Sequence, residues 1–411
     1  MGVVLVLVLA ALLAAAAIAL WPIPRPPLAG WAFMIGFPAG ELAGQLLVVT
    51  LVVMAVGGSI GWPTGVLGTA SIVLGCAGAL SYGALLARGL LARSEVERCL
   101  RDVRGLAVTM ASSGTWLRWW RSVLGFPFVS SPVTIARDIA YASGAGKAHL
   151  LDVITPREGT QGAPVMLYVH GGAWTIGSKR DQALPMLCEL AARGWVCVSI
   201  NYRLSPRATW PDHVVDVKRA LVWTKEHASE FGGDPARFLA ISGGSAGGHL
   251  AALAALTPGD PAFQPGFEDA DTAVDACVPL YGVLEMTGDP SMQGYLGGGL
   301  VTLLERKVMK APLETSRALY EAASPIHRIT ADAPAFLVVH GTSDTLVHVD
   351  VARAFVAAFR ATSSAPIGYV ELRGAQHAFD LLCSPRTTST TLGITSFLDA
   401  LVAARATRPA S

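Results

Sequence analysis

Charge is nearly absent from the first fifth of this 411-residue chain, where only Arg25 and Glu41 carry a charged side chain between Met1 and Ala87. Nearly all of the 31 basic and 30 acidic residues lie beyond that point. This distribution predicts a membrane region followed by a soluble one. The formal net charge is only +1, and the chain has no Lys/Arg-rich block. A basic surface for nucleic acid is therefore excluded, and nucleic acid is not an expected partner.

Cysteine is also scarce, and its six copies form no CxxC pair and no Cys/His cluster with the spacing of metal ligands. Neither a disulfide scaffold nor a zinc site is indicated, so we expect no metal. Cys188, Cys197 and Cys277 lie in apolar segments that are typical of a hydrophobic core.

Three apolar stretches are long enough to cross a bilayer, at Val3–Trp21, Leu42–Gly57 and Gly65–Ala87. The last two are separated by a Gly- and Pro-containing break and predict a helical hairpin. A cleaved signal peptide is the alternative for the first stretch, but no charged segment precedes it. We predict a multi-pass membrane region over residues 1–87 with about three transmembrane helices.

Arginine clusters directly after the third stretch, and this predicts which side of the membrane the soluble part occupies. Such clusters mark the cytoplasmic side. Arg25, in the first connection, falls on the same side when there are three spans. We therefore predict that the soluble domain lies on the cytoplasmic side. The clustered residues are Arg88, Arg93, Arg98, Arg101 and Arg104.

Residues 88–130 are predicted to link the membrane region to the soluble domain, and they contain an amphipathic aromatic segment at Trp116–Phe128. Tryptophan and phenylalanine interleaved with arginine suit the headgroup layer of a membrane. A cap helix packed on the soluble domain would require the same pattern, so both interpretations stay open.

Beyond this segment, apolar strands alternate with helical patterns, which predicts a mostly parallel, doubly wound α/β sheet over residues 131–408. A helical cap insertion is expected around residues 283–329. The predicted strands are Thr134–Tyr141, His149–Ile154, Val165–His170, Trp195–Tyr202, Phe238–Ser242, Ala276–Tyr281, Phe336–His340 and Gly368–Leu372. The predicted helices are Asp181–Arg193, Asp212–Glu230, Gly248–Leu256, Asp350–Arg360 and Thr390–Ala404.

A G-x-S-x-G motif at residues 243–247 stands between one of these strands and the helix that follows. This strand-turn-helix setting, called the elbow below, exposes the central serine at the carboxyl end of the strand. Ser245 is therefore a candidate nucleophile. The amide of Ala246 begins the helix, where unpaired N–H groups favour developing negative charge.

A second motif, His170-Gly-Gly-Ala-Trp174, begins at the end of the predicted strand Val165–His170. Along the chain, this strand comes two strands before the one that leads into the elbow. Glycines there let main-chain N–H groups approach a substrate carbonyl and hold the oxyanion that forms when a serine attacks. We predict an oxyanion hole formed by the amides of Gly172, Ala173 and Ala246.

A nucleophilic serine requires a histidine base and an acid that orients the base. Where the serine lies in a G-x-S-x-G elbow, the acid comes after the serine along the chain and the histidine comes after the acid. Asp344 and His377 each stand just beyond a predicted strand, and we assign them as the acid and the base. Asp380 and the pair His348 and Asp350 are rivals that fit turn or cap positions better.

Four other residues near these motifs are predicted to be structural. Three of them are histidines, placed inside a strand, on the helix after the elbow or in the insertion, and the fourth is an arginine expected to support the oxyanion loop. They are His340, His249, His327 and Arg203.

With these motifs in place, residues from about 130 to 405 resemble the α/β-hydrolase superfamily. The likeness is to the esterase/lipase branch of hormone-sensitive lipase and to feruloyl-esterase-like and isoprenylcysteine-methylesterase-like carboxylesterases. Ala173 departs from that pattern, since many relatives have a third glycine there. An alanine with a negative φ would still present its N–H, so we expect the change to affect pocket shape more than activity.

The resemblance implies a serine carboxylesterase or lipase that acts on small-molecule esters without a cofactor. It does not extend to the first 87 residues; the membrane region predicted there makes this a membrane-anchored enzyme and favours lipid-like esters by proximity. The alternatives are an arylformamidase-like amidase, a peptidase or an acyltransferase, because the same triad serves each of them. A hydrolase fold used as a non-catalytic binding module is an alternative of a different class.

Overall fold

The computed structural model describes residues 2–25, 28–110, 132–289 and 297–407. Its N-terminal part consists of four apolar helices, and within the described residues α1 and α4 are long and apolar enough to cross a membrane. The next two helices are bent by 82° at Leu42 and would count as a third span if taken together. The four helices are α1 (Gly2–Leu20), α2 (Leu28–Glu41), α3 (Ala43–Ser59) and α4 (Val66–Arg101).

Helix α2 lies where the predicted spans leave a connection, between residue 21 and residue 42. Pro38 inside the helix and glycines at 30, 36 and 40 lower its intrinsic helix propensity, which is why the pattern did not indicate a helix. Gly36 lies against the backbone of α1, where a Cβ would meet the Ile18 carbonyl oxygen at 3.5 Å. Close packing on its neighbours compensates for the weak propensity.

The predicted boundary at residue 87 falls in the middle of α4, which continues as one helix to Arg101. Val96 and Leu100 on its second half are buried in the same hydrophobic cluster as the sheet. The Arg373 amide donates a hydrogen bond to Glu95 Oε2 at 3.1 Å. Residues 88–101 therefore form a helix of the soluble domain rather than a linker. The aromatic segment Trp116–Phe128 lies outside the described residues.

The described part of the soluble domain contains one eight-stranded sheet in the order β1-β2-β4-β3-β5-β6-β7-β8. β1 and β2 run antiparallel to their neighbours, and the remaining pairs are parallel. All eight predicted strands are present, with ends shifted by one or two residues. The strands are β1 (Val133–Ala140), β2 (Leu150–Pro156), β3 (Val165–Val169), β4 (Val196–Ile200), β5 (Leu239–Gly244), β6 (Ala276–Leu280), β7 (Ala335–Gly341) and β8 (Ile367–Leu372).

Helices cover both faces of the sheet, so the central strands are buried on each side. In β3, Val165, Leu167 and Val169 face one hydrophobic cluster, and Met166 and Tyr168 face the other. The five predicted helices are all present: α5 (Leu184–Ala192), α6 (Asp212–His227), α7 (Ala246–Leu256), α10 (Val349–Thr362) and α11 (Pro385–Ala406).

The segment between β6 and β7 is helical, as predicted for the insertion, although residues 290–296 lie outside the described part of the chain. It contains α8 (Gly297–Leu303), a π-helical turn (Leu304–Val308), α9 (Arg317–Ala323) and a 3₁₀ turn (Pro325–Arg328). Further 3₁₀ turns are Gly146–His149, Ala228–Phe231, Pro261–Phe263 and Phe379–Leu381. That the insertion covers the site remains a prediction.

Candidate active site

The turn between β5 and α7 is sharp and strained at its central serine. Ser245 has φ 56° and ψ −121°, a conformation that costs a side-chain-bearing residue about 1–3 kcal/mol. A Cβ at Gly243 would lie 2.4 Å from the carbonyl carbon of Gly247, and one at Gly247 would lie 2.1 Å from the Val169 oxygen. The two flanking glycines of the motif are thus required by close backbone approach, and the bend they permit presents the Ser245 hydroxyl.

The structure brings Ser245, His377 and Asp344 into one hydrogen-bonded chain. His377 Nε2 lies 2.8 Å from Ser245 Oγ, and His377 Nδ1 lies 2.7 Å from Asp344 Oδ2. Asp344 follows β7 and His377 follows β8, so the parallel pairing of these strands places both residues at the same edge as the elbow. Nδ1 faces a carboxylate and carries the proton, which leaves Nε2 free to accept the hydrogen of the serine hydroxyl.

The Asp344 carboxylate is buried and held by several donors. Its Oδ1 accepts hydrogen bonds from the amides of Leu346 at 2.9 Å and Val347 at 2.8 Å. His340 Nε2 lies 3.2 Å from Oδ2. Burial opposes ionisation, but the charge of His377 and the hydrogen bonds from His340 and His377 outweigh it and hold the pKa of Asp344 well below its usual range. The group is therefore an anion throughout the physiological range.

Gln376 joins the two loops that carry the acid and the base. Its Oε1 accepts from the amide of Thr345 at 2.8 Å and from the amide of His377 at 2.9 Å. One side-chain oxygen thus fixes the distance between the Asp344 and His377 turns. The sequence analysis did not predict a role for Gln376 or the contact of His340 with Asp344, because neither residue belongs to a recognised motif. The one available clue was that Gln376 directly precedes His377.

The predicted oxyanion loop leaves three amides available at the elbow. Among the residues that the structure describes, the amides of Gly172, Ala173 and Ala246 donate to no protein acceptor. The Gly171 amide is different, since it donates to Gln182 Oε1 at 2.7 Å. Gly172 has φ 118°, and a Cβ there would lie 2.1 Å from the Ile176 oxygen, so this position admits only glycine.

The condition set for Ala173, a negative φ, is not met, because the residue has φ 51° and is followed by Trp174 at φ 58°. A left-handed alanine costs about 1–2 kcal/mol, which the surrounding contacts must offset. Trp174 is buried, and its Nε1 donates to His249 Nδ1 at 3.2 Å. The structure thus stabilises a turn that relatives with glycine would adopt more freely.

His249 is structural, as predicted, and it supports the oxyanion loop. Burial lowers its pKa to about 4, so the ring is neutral. Nδ1 accepts from Trp174, and Nε2 donates to the Ala323 oxygen at 2.8 Å in the insertion. The prediction that Arg203 supports the oxyanion loop is wrong. Its Nε lies 2.9 Å from Asp216 Oδ2, and this ion pair connects the segment after β4 to α6.

The rival acids are engaged elsewhere. Asp380 accepts a hydrogen bond from the Tyr281 hydroxyl, and burial raises the pKa of Asp380. The ring of the same Tyr281 packs on His377, with centroids 4.7 Å apart. His348 and Asp350 form a local pair at 3.0 Å where α10 begins. Within the described ranges, no group of three His, Cys, Asp or Glu side chains could hold a metal ion.

The BD-FAE family model matches residues 151–359, a segment that includes the predicted oxyanion loop, Ser245 and Asp344. The probable carboxylic ester hydrolase LipM of Mycobacterium tuberculosis is 43% identical over 95% of this chain and 92% of its own length. Esterase LipQ of the same organism is 44% identical over 69% of this chain and 67% of its own.

A solved structure of a truncated carbohydrate esterase from gut microbiota has a TM-score of 0.58 at 23% identity. It covers 67% of this chain and 99% of its own, and at that identity it supports the fold alone. The sheet, the helices on both its faces and these likenesses agree. The chain therefore belongs to the BD-FAE family, has the α/β-hydrolase fold and is a carboxylic ester hydrolase.

Proposed function

We propose that this hydrolase cleaves carboxylic esters through a Ser245-His377-Asp344 triad and an acyl-enzyme. The observation that carries the proposal is the continuous hydrogen-bonded chain of 2.8 Å and 2.7 Å from the serine through the histidine to the carboxylate. Three unpaired amides at the elbow add the donors that an oxyanion requires.

In the first half of the reaction, Ser245 Oγ attacks the ester carbonyl carbon while His377 Nε2 takes the hydroxyl proton. The amides of Gly172, Ala173 and Ala246 stabilise the negative oxygen of the tetrahedral intermediate. The C–O bond to the alcohol then breaks, and the imidazolium gives its proton to the departing alkoxide. Asp344 stays ionised and stabilises the imidazolium.

In the second half, His377 takes a proton from water, and the resulting hydroxide attacks the acyl carbon. The bond to Ser245 Oγ breaks, the serine regains its proton from His377, and the carboxylic acid leaves. Every proton that His377 accepts is thus returned within one cycle.

Replacing the nucleophile tests this mechanism. Ser245→Ala is expected to lower kcat on p-nitrophenyl esters by about 10⁴- to 10⁶-fold and to abolish labelling by a fluorophosphonate probe. Ser178→Ala is the matched control, since the Ser178 hydroxyl donates a hydrogen bond to Asp181 and lies outside the triad. Full activity in Ser245→Ala would refute the assignment, and labelling that persists in it would show that another serine reacts.

We also propose that the enzyme is an integral membrane protein anchored through α1 and α4. The support is the length and hydropathy of these two helices, and the arginines after residue 87 favour a cytoplasmic catalytic domain. A C-terminal reporter that is active only in the cytoplasm tests the side: activity supports this orientation, and exposure to an external protease contradicts it.

A further inference from the structure

Helix α2 of the N-terminal region touches the catalytic histidine. The Phe33 ring stands edge-on to the His377 imidazole, with centroids 6.0 Å apart and planes at 75°. Phe37, one turn later, stacks with Phe33 at 5.8 Å. The base of the triad therefore contacts both Tyr281 of the hydrolase domain and an aromatic residue of the apolar N-terminal helices.

Both ends of α2 are fastened to the hydrolase domain. Near its start, the Ala29 carbonyl accepts a hydrogen bond from Thr345 Oγ1 at 3.0 Å, next to the catalytic acid. At its end, the buried Glu41 carboxylate pairs with the buried Arg386 guanidinium and accepts from Ser384 Oγ at 2.7 Å. These polar contacts hold α2 against the hydrolase domain at both of its ends, and Phe33 lies between them along the helix.

The outer side of α2 is apolar and uncovered. Leu28, Trp31 and Met34 are 49%, 68% and 63% exposed. Residues 28–40 include no charged side chain, and the helix continues through the bend at Leu42 into the apolar α3. A large exposed apolar surface that is continuous with candidate spans is typical of contact with lipid. An α-helix is only about 10 Å across, so a lipid on this side lies close to the triad.

We propose that α2 forms the wall between the bilayer and the triad, and that esters resident in the bilayer reach Ser245 along it. The inference rests on the triad proposed above. The outer side chains Leu28, Trp31 and Met34 sit in hydrocarbon. Phe33 lies beside both His377 and the acyl chain of the incoming ester, which makes it a specificity residue. The substrate class is long-chain carboxylic esters dissolved in a membrane.

The test uses the full chain reconstituted into phosphatidylcholine vesicles and two substrates. p-Nitrophenyl butyrate in solution reports the triad, and p-nitrophenyl palmitate carried in the vesicles reports access from the bilayer. Phe33→Ala is expected to lower the ratio of kcat/KM for palmitate to kcat/KM for butyrate by roughly tenfold or more, because the contact with His377 is lost for both substrates and the contact with a long acyl chain is lost for palmitate alone. Phe33→Leu should restore most of the palmitate activity.

A second variant tests the outer side of the helix. Trp31→Glu places a charge where lipid is expected, and should reduce palmitate activity while leaving butyrate activity unchanged. Leu184→Glu is the matched control, an apolar residue 48% exposed on the soluble domain, and should keep both activities.

The outcomes separate the two proposals. Equal losses on both substrates in Phe33→Ala, or no loss on either, would overturn the role of α2 while leaving the triad intact. Loss of palmitate activity in Leu184→Glu would also overturn it, because any added charge would then have the same effect. If the Ser245→Ala variant hydrolyses butyrate as fast as the wild-type protein, the triad itself is wrong.

Discussion

The buried pair of Glu41 and Arg386 is the strongest polar link between α2 and the hydrolase domain, and breaking it has a predictable cost. Glu41 is 4% and Arg386 is 2% exposed, so neither charge can recover full hydration if its partner is removed. In Arg386→Met, Glu41 keeps only the hydrogen bond from Ser384. Removing one partner of such a pair costs about 3–5 kcal/mol, whereas replacing both by apolar side chains is close to neutral.

This asymmetry gives a double-mutant cycle. Arg386→Met and Glu41→Leu form the single variants, and the combined variant should lie within about 1–2 kcal/mol of wild type. At about 2 °C per kcal/mol for a domain of this size, Arg386→Met should lower Tm by roughly 6–10 °C. The two single losses should therefore not add.

Cysteine accessibility supplies the assay. Cys197 and Cys277 are fully buried in the sheet. Once the accessible thiols, such as the exposed Cys76, have been blocked in the folded protein, a thiol-reactive fluorophore reports unfolding in detergent micelles as temperature rises. If the combined variant loses the sum of the two single losses, the pair is not coupled and α2 is held by other contacts. If Arg386→Met shifts Tm by less than about 2 °C, the pair does not carry the cost of a buried ion pair.

Two further predictions concern the acid and the elbow. Asp344→Asn should lower kcat by about 10⁴-fold. Because the folded pKa of Asp344 lies below its unfolded value, the carboxylate stabilises the fold above about pH 4, and its contribution disappears as pH falls through the folded pKa. The Tm difference between wild type and Asp344→Asn should therefore shrink on acidification, and a constant difference would contradict the argument. Gly247→Ala should abolish fluorophosphonate labelling, since its Cβ would lie 2.1 Å from the Val169 oxygen, whereas Gly83→Ala, with nothing within 4 Å, should label as wild type does.

The sheet and the triad could be predicted because their signals are local. β5 and β7 are buried on both faces and have apolar runs, and Ser245 and Asp344 follow them closely. His377 follows β8, an edge strand in which buried and half-buried residues alternate in its second half. The order of the residues along the chain and the parallel register then bring them to one edge. Nothing beyond strand type and chain order was needed for that step.

The contacts of α2 could not be predicted in the same way, since Phe33 meets His377 across more than 300 residues of intervening chain. Pro38 and several glycines conceal the helix itself, and a contact between distant elements leaves no periodic trace. The positive φ of Ala173 was missed for a related reason. Its conformation is imposed by the turn around Trp174 and His249, against the preference of alanine.

Helix α4 runs without a break from the apolar region onto the sheet, and its 36 residues span about 54 Å at 1.5 Å per residue. In a chain anchored through this helix, the packing of Val96 and Leu100 on the sheet would hold the catalytic domain directly against its anchor. The active site would then stay at one height and one tilt above the membrane surface. Encounters with substrate would then depend on lateral diffusion in the leaflet, and turnover would follow surface density of the ester rather than its concentration in bulk.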